Sequence, residues 1–283
     1  MLFPSGLSDY SFSYYNWGTN PSATPGTSVI PGASNAEGAW TQIASSANIA
    51  QDVYWLAVQV FSGGTASSQK DHLLDIGVDP GGGTAYVAAI SNIVCGESGG
   101  IGGALPLFVF PLFIKAGSSV AARVQGNNAT AGTIFIIATF KGQPSRPEAV
   151  PVGMFSETIG TITNSAGPSF TPGNAADGTW VSLGTTTKAM WWWQLGYQIS
   201  NATITAERTF IELAHGDGTN KQIIIRTMHA GQTQEQCNPI LPGNANMASC
   251  LWHVPAGGEL WVRGRCENAP DSGYNAVAIG IGG

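Results

Sequence analysis

The chain contains itself twice. Ala36-Glu37-Gly38-Ala39-Trp40 returns as Ala176-Asp177-Gly178-Thr179-Trp180. Ala116-Gly117, followed by Val120, Ala122 and Arg123, returns as Ala256-Gly257 followed by Leu260, Val262 and Arg263. Both sets of landmarks lie 140 positions apart. Solenoid and propeller units repeat within about 50 residues, so a period this long copies a whole domain. A chain of 283 residues is long enough for two such domains, each with its own core.

The strand pattern inside each copy gives the fold class. Tyr54, Leu56, Val58 and Val60 alternate onto one face. His72 to Val78 reads as a second strand and stops at Asp79-Pro80-Gly81-Gly82-Gly83, a turn signal. Leu107 to Ile114 is an apolar strand. Val120, Ala122 and Val124 point inward, and so do Ile134, Ile136, Ala138 and Phe140. In the second copy, Gln194–Ile199 matches Trp55–Val60 in parity. Phe210–Leu213 matches Leu73–Ile76, and Ala276 to Ile281 closes the chain. A slip of one residue would turn every core side chain outward, so matched parity means matched registers.

No stretch holds a helical period. Charged residues make up only 10%, while 38 Gly and 16 Pro supply turns. The expected fold is all-β: two tandem β-sandwich, jelly-roll-like domains related by internal duplication. The expected boundaries are an extended N-terminal arm at 1–30, a first sandwich at 31–141, and a second at 171–283. Between them, 142–170 reads as a Pro/Gly/Ser-rich linker with room for an opening strand.

Charge narrows the function classes. The net charge is −6 and no Lys/Arg run occurs, which excludes a nucleic-acid binder. The longest apolar run, Ala104 to Ile114, is too short and too Pro-interrupted to insert in a membrane. The N-terminus lacks the charged and apolar regions of a signal peptide, so the protein is expected to be made in a cytoplasm and either to stay there or to leave by another route such as lysis. A charge-poor surface suits a subunit packed into an assembly or a protein working outside the cell.

Candidate chemistry is sparse. Asp75 and Glu212 hold equivalent strand positions in different copies, which gives no reason for them to approach within the ~5–10 Å of glycoside hydrolysis. A solvent-facing or interface carboxylate is the expectation for each. Asp79-Pro80-Gly81 and Asp217-Gly218-Thr219-Asn220 lack the spacing and closing Glu of a calcium loop and read as turns. His72, His215, His229 and His253 form no HExxH or HxH set. Cys95, Cys237, Cys250 and Cys266 show no CxxC spacing, and their disulfide state is open. No catalytic residue, metal site or cofactor is nominated.

Two aromatic features remain. Trp191-Trp192-Trp193 sits in a strand, where Trp192 faces opposite to its neighbours and at least one ring leaves the core. Three destinations stand: a subunit interface, core or inter-domain packing, or stacking on a glycan. Tyr10, Phe12, Tyr14, Tyr15 and Trp17 lie in a polar arm that has no core of its own. They anchor it either to the first domain or to a neighbouring subunit.

The segment Leu107 to Gln125 resembles a pattern in structural proteins of tailed bacteriophages, where an apolar strand precedes Pro-Ala-Gly and then Ile-Ala-Ala-Arg. Here the first copy has Lys115-Ala116-Gly117 and Val120-Ala121-Ala122-Arg123. The second has Pro255-Ala256-Gly257 and Leu260-Trp261-Val262-Arg263. The resemblance covers about twenty residues per copy and carries no catalytic residue. It implies a non-enzymatic virion component that decorates the outside of the particle, at capsid, collar or tail. Its partners would be other virion proteins and further copies of itself. The alternative is a carbohydrate-binding adhesin or receptor-binding fibre gripping a host-surface glycan.

Overall fold

The computed structural model describes residues 14–17, 26–62, 70–97, 107–126, 134–142, 153–160, 167–199, 208–230, 249–267 and 273–283. Every element among them is a strand. The first half contains β1 (Tyr14–Trp17), β2 (Thr27–Val29), β3 (Thr41–Ala44), β4 (Val53–Ser62), β5 (Lys70–Asp79), β6 (Val87–Glu97), β7 (Leu107–Phe110), β8 (Ser119–Gly126) and β9 (Ile134–Gly142). The second contains β10 (Phe155–Ile159), β11 (Ser169–Phe170), β12 (Gly173–Asn174), β13 (Val181–Thr185), β14 (Met190–Ile199), β15 (Arg208–Gly216), β16 (Lys221–Ala230), β17 (Ser249–Val254), β18 (Glu259–Cys266) and β19 (Tyr274–Gly282).

Two sheets face each other in each half. One sheet of the first half runs β1-β9-β4-β7, with β2 also on β9, and the other runs β3-β8-β5-β6. The second half repeats this as β10-β19-β14-β17, with β11 on β19, and β12-β18-β15-β16, with β13 on β18. The chain crosses between the sheets at most connections but stays within one at β5–β6 and β15–β16, and with β1 and β2 sharing one position this is the strand order of a jelly roll. The alternating positions read from the sequence meet between the sheets: Leu56, Val58, Val120, Ala122, Val124, Ile134, Ile136, Ala138 and Phe140 share one core. Leu195, Tyr197, Ile211, Leu213, Leu260, Val262, Ala276 and Ala278 share the other.

Several expectations need correction. Tyr54 does not join the core, because a bulge between Val53 and Trp55 interrupts the alternation. The strand expected over Leu107 to Ile114 stops at Phe110, since Pro111 has no N–H for the ladder. Beyond it, Leu112 and Ile114 make only isolated bridges, to Gly153 and Val53. Strands β6 and β16 were not anticipated. Within 1–30, β1 and β2 take one of the two expected places of the arm, on the first domain: both hydrogen-bond to β9, with Tyr14 opposite Lys141 and Thr27 opposite Ile136. The room left within 142–170 for an opening strand is taken by β10 and β11, which pair with β19. Tyr10 and Phe12 lie outside the described residues.

The two sandwiches are joined face to edge. The outer side of β10, β14 and β19 lies against β6, an edge strand of the first sandwich. The Ser156 hydroxyl donates to the Ala89 carbonyl, and the Thr158 hydroxyl donates to Ser91 O at 2.7 Å. Gly153 exchanges backbone hydrogen bonds with Pro111 and Phe113, both 2.8 Å. Trp192, Ile279 and Ile281 from the second half belong to the first half's core cluster.

Candidate functional site

The duplicated landmarks converge on one construction, built twice. In the first sandwich Arg123 on β8 stands directly opposite Asp75 on β5. Its Nε donates to Asp75 Oδ2 at 2.9 Å, and its Nη1 pairs with the Glu37 carboxylate. The guanidinium lies 4.5 Å over the Trp40 ring. In the second sandwich Arg263 on β18 stands opposite Glu212 on β15. Its Nε donates to Glu212 Oε2 at 2.7 Å, its Nη2 is 2.7 Å from Asp177 Oδ2, and its guanidinium lies 4.3 Å over Trp180. Arginine's planar fork is what allows one side chain to hold two carboxylates and an aromatic face together.

Of the two expected settings for the strand carboxylates, solvent-facing or interface, burial rules out the first. Asp75 is 4% exposed and Glu212 5%. Each uses its second oxygen as well. Asp75 Oδ1 accepts the Asn92 backbone N–H at 2.8 Å, and Glu212 Oε1 accepts Nε of Arg226 at 2.6 Å. Burial pushes the Glu37 carboxyl above its usual range, against the pull of Arg123. Each cluster locks the N-terminal loop of its sandwich to the sheet beneath. The loop itself is equally conserved between copies: Asn35 and Ala175 both have φ near +50°, at 55° and 51°. Gly38 and Gly178 follow where a Cβ would sit 2.2 Å from Ile30 O and 2.8 Å from Gly264 O. Charge, aromatic face and backbone were copied as one unit.

The tryptophan run serves packing. Trp193 is 0% exposed in the second core, and its Nε1 donates to Trp252 O at 3.0 Å. Trp192, 8% exposed, meets Phe110 of the first sandwich edge-to-face at 5.8 Å. A bulge between Met190 and Trp192 cancels the expected alternation, so half-buried Trp191 packs on the same side as Trp192. Neither Trp192 nor Trp193 presents a ring to a glycan or a neighbouring subunit. Tyr14, Tyr15 and Trp17 lie in β1, opposite Lys141, Phe140 and Ala138 of β9.

The turn carboxylates hold backbone. Asp79 accepts from Gly81 N at 2.8 Å and Ala85 N at 3.0 Å, and Asp217 accepts from Thr219 N at 2.7 Å. The backbone N–H of Asn220, which also donates to Asp217 Oδ1, and then that of Thr219 hold the Asp217 carboxyl below its usual range. Cys95, Cys250 and Cys266 are thiols, and burial pushes Cys250 up to about 11. Cys237 lies outside the described residues, as does the Gly99–Gly103 loop.

Sequence reasoning missed a surface group at the edge of the second sandwich. Exposed Trp252 on β17 approaches His215 of β15, its Nε1 3.4 Å from His215 Nδ1. His253 stands near enough to His215 to add to the burial that lowers its pKa below 6.5. Leu251 beside them is 64% exposed. His215 and Trp252 are 37 positions apart in sequence, and the β15–β18 and β14–β17 pairings bring them together.

Neither a protein-family profile nor a curated protein matches the sequence. Solved structures resemble it over nearly its whole length, but loosely. PNGF-II matches with a TM-score of 0.40 and 11% identity, over 98% of this chain and 66% of that one, just under two thirds. The tandem CBM22-1–CBM22-2 domain of Paenibacillus barcinonensis Xyn10C matches with a TM-score of 0.27 and 10% identity, over 95% and 91%. Infectious bursal virus derived T=1 particles match with a TM-score of 0.22 and 10% identity, over 98% and 71%. All of these scores are too low to bear on function.

Proposed function

We propose that this chain is a non-enzymatic virion structural protein of a tailed bacteriophage, decorating the outside of the particle at capsid, collar or tail. It acts by assembly and adhesion, with other virion proteins and its own copies as partners. One observation carries the reading. What the two copies retain position by position holds strands and loops together: Arg123 and Arg263, their carboxylates, Trp40 and Trp180, and the Ala-Gly turns. A duplicated framework with divergent outer surfaces fits a protein whose work lies in which neighbours each face touches. The phage-like segment from Leu107 to Gln125 sits within that framework.

The N-terminal segment is the proposed anchor to the particle. Deleting 1–30 would remove β1 and β2 from their sheet and confuse anchoring with folding. Deleting 1–13 leaves both strands in place. The truncated chain is expected to keep its melting temperature and to be lost from purified particles. Normal incorporation would sink the anchoring role, and absence of the intact chain from particles would sink the virion reading.

Exposed Trp252 and Leu251 favour a second reading, an adhesin for host-surface glycans, since an exposed indole beside polar imidazoles suits sugar stacking. Glycan-array binding that Trp252→Ala abolishes would support it, and a silent array would count against it.

A further inference from the structure

The face-to-edge contact uses the β6 edge of the first sandwich and the β10–β19–β14 face of the second, and the duplication supplies each of these a second time. On the edge side, Leu73 of β5 and Val94 of β6 are cross-strand partners, 9% and 1% exposed. With Val277 of β19 they form a small buried cluster. Gly196, the partner of Val277 on β14, leaves room for them: a Cβ there would lie 3.2 Å from Val94 Cγ2.

The arginine clusters fix which residues correspond in the second sandwich. Asp75 faces Arg123 and Glu212 faces Arg263, and two positions earlier stand Leu73 and Phe210. The cross-strand partner of Phe210 on β16 is Met228, as Val94 is that of Leu73. Phe210 and Met228 are 42% and 43% exposed. A single exposed apolar residue needs no explanation. Here the exposed pair occupies the positions that its counterpart uses to dock, and β16, like β6, is an edge strand.

The receiving face also has a counterpart. Matching Leu56 with Leu195 places Ala57 of β4 where Gly196 lies on β14. Around small Ala57, half-buried Gln59, Val109 and Ile137 lie on the outer side of β4, β7 and β9.

We propose that copies of this chain associate head to tail, the Phe210–Met228 edge of one docking on the Ala57 face of the next. The contact continues the one already made inside the chain. It is heterologous, so it builds rings or filaments and not closed two-fold dimers. The inference rests on the reading of the protein as an assembly component and names the contact.

The test is sedimentation of the full chain by analytical ultracentrifugation over a range of concentrations, with Phe210→Asp and Met228→Lys as edge variants and Ala57→Arg and Gln59→Arg as face variants. Melting temperatures identify any variant that fails to fold. The wild type is expected to form species larger than dimers. Each folded variant is expected to associate about tenfold more weakly or worse. Mixing an edge variant with a face variant leaves one intact edge and one intact face, so the mixture is expected to stop at dimers. A monomeric wild type, or oligomers indifferent to both classes of variant, would overturn the proposal. Particle incorporation is scored separately. A monomeric wild type that still enters particles leaves the virion reading intact, and if Phe210→Asp then blocks entry, the edge belongs to a different virion protein.

Discussion

Two carboxylates trade lengths between the copies. Glu37 and Asp75 hold Arg123, while Asp177 and Glu212 hold Arg263. The longer side chain moves from loop to strand, yet each guanidinium keeps two carboxylate partners and a tryptophan face. Removing Arg263 would leave nearly buried Glu212 with only the exposed Arg226 as a charged partner, which is where the cost of breaking such a pair arises. Arg263→Met is therefore expected to lower stability by roughly 3 kcal/mol in chemical denaturation. Arg226→Met should cost far less, because its guanidinium is 60% exposed and Arg263 remains on Glu212. Equal losses for both would refute the account. All eight residues of the two clusters were visible as landmarks in the sequence. Their meeting was not, since Asp75 and Arg123 are 48 positions apart and join only through the β5–β8 register.

Among the strands, alternation identified most of the core, and it failed where the ladder is irregular. At β14 the bulge after Met190 turns Trp191 and Trp192 the same way. Nothing in a run of three tryptophans marks that extra residue. Strand β19 meets Trp193 with a glycine. Gly280 pairs with Trp193, and a Cβ there would lie 2.7 Å from Cζ3 and 3.0 Å from Met190 Cγ. Gly280→Ala is expected to cost about 1–3 kcal/mol by overpacking. Gly218→Ala, with nothing within 4 Å of the added methyl, should be nearly neutral in the same thermal melt. A neutral Gly280→Ala would mean that Trp193 can move aside. Strands β6 and β16 escaped notice for a related reason: their ladders are irregular, with register shifts at Leu74/Ile76 and Ile76/Gly77 against β6 and at Leu213/Ala214 against β16.

Across the whole molecule, the two sandwiches share apolar packing instead of hanging from a linker. Trp192, Ile279 and Ile281 leave the second sandwich to fill the first one's core cluster. The intact chain is therefore expected to unfold in one calorimetric transition. Trp192→Ala, which removes the ring against Phe110, should cost about 3–5 kcal/mol and split that transition in two. Two resolved transitions in the wild type would show that the sandwiches melt independently. By itself the sequence determined the duplication, the all-β class and the inward residues of most strands, because period and parity are local properties that strand geometry imposes on the chain. It also carried the three parts of each arginine cluster. Only the tertiary structure decided that the parts join, that the tryptophan run packs within and between the sandwiches, and that Phe210 and Met228 are the exposed counterpart of a buried contact. Those outcomes depend on which sheet face meets which edge, and that choice is made by surfaces far apart in the chain.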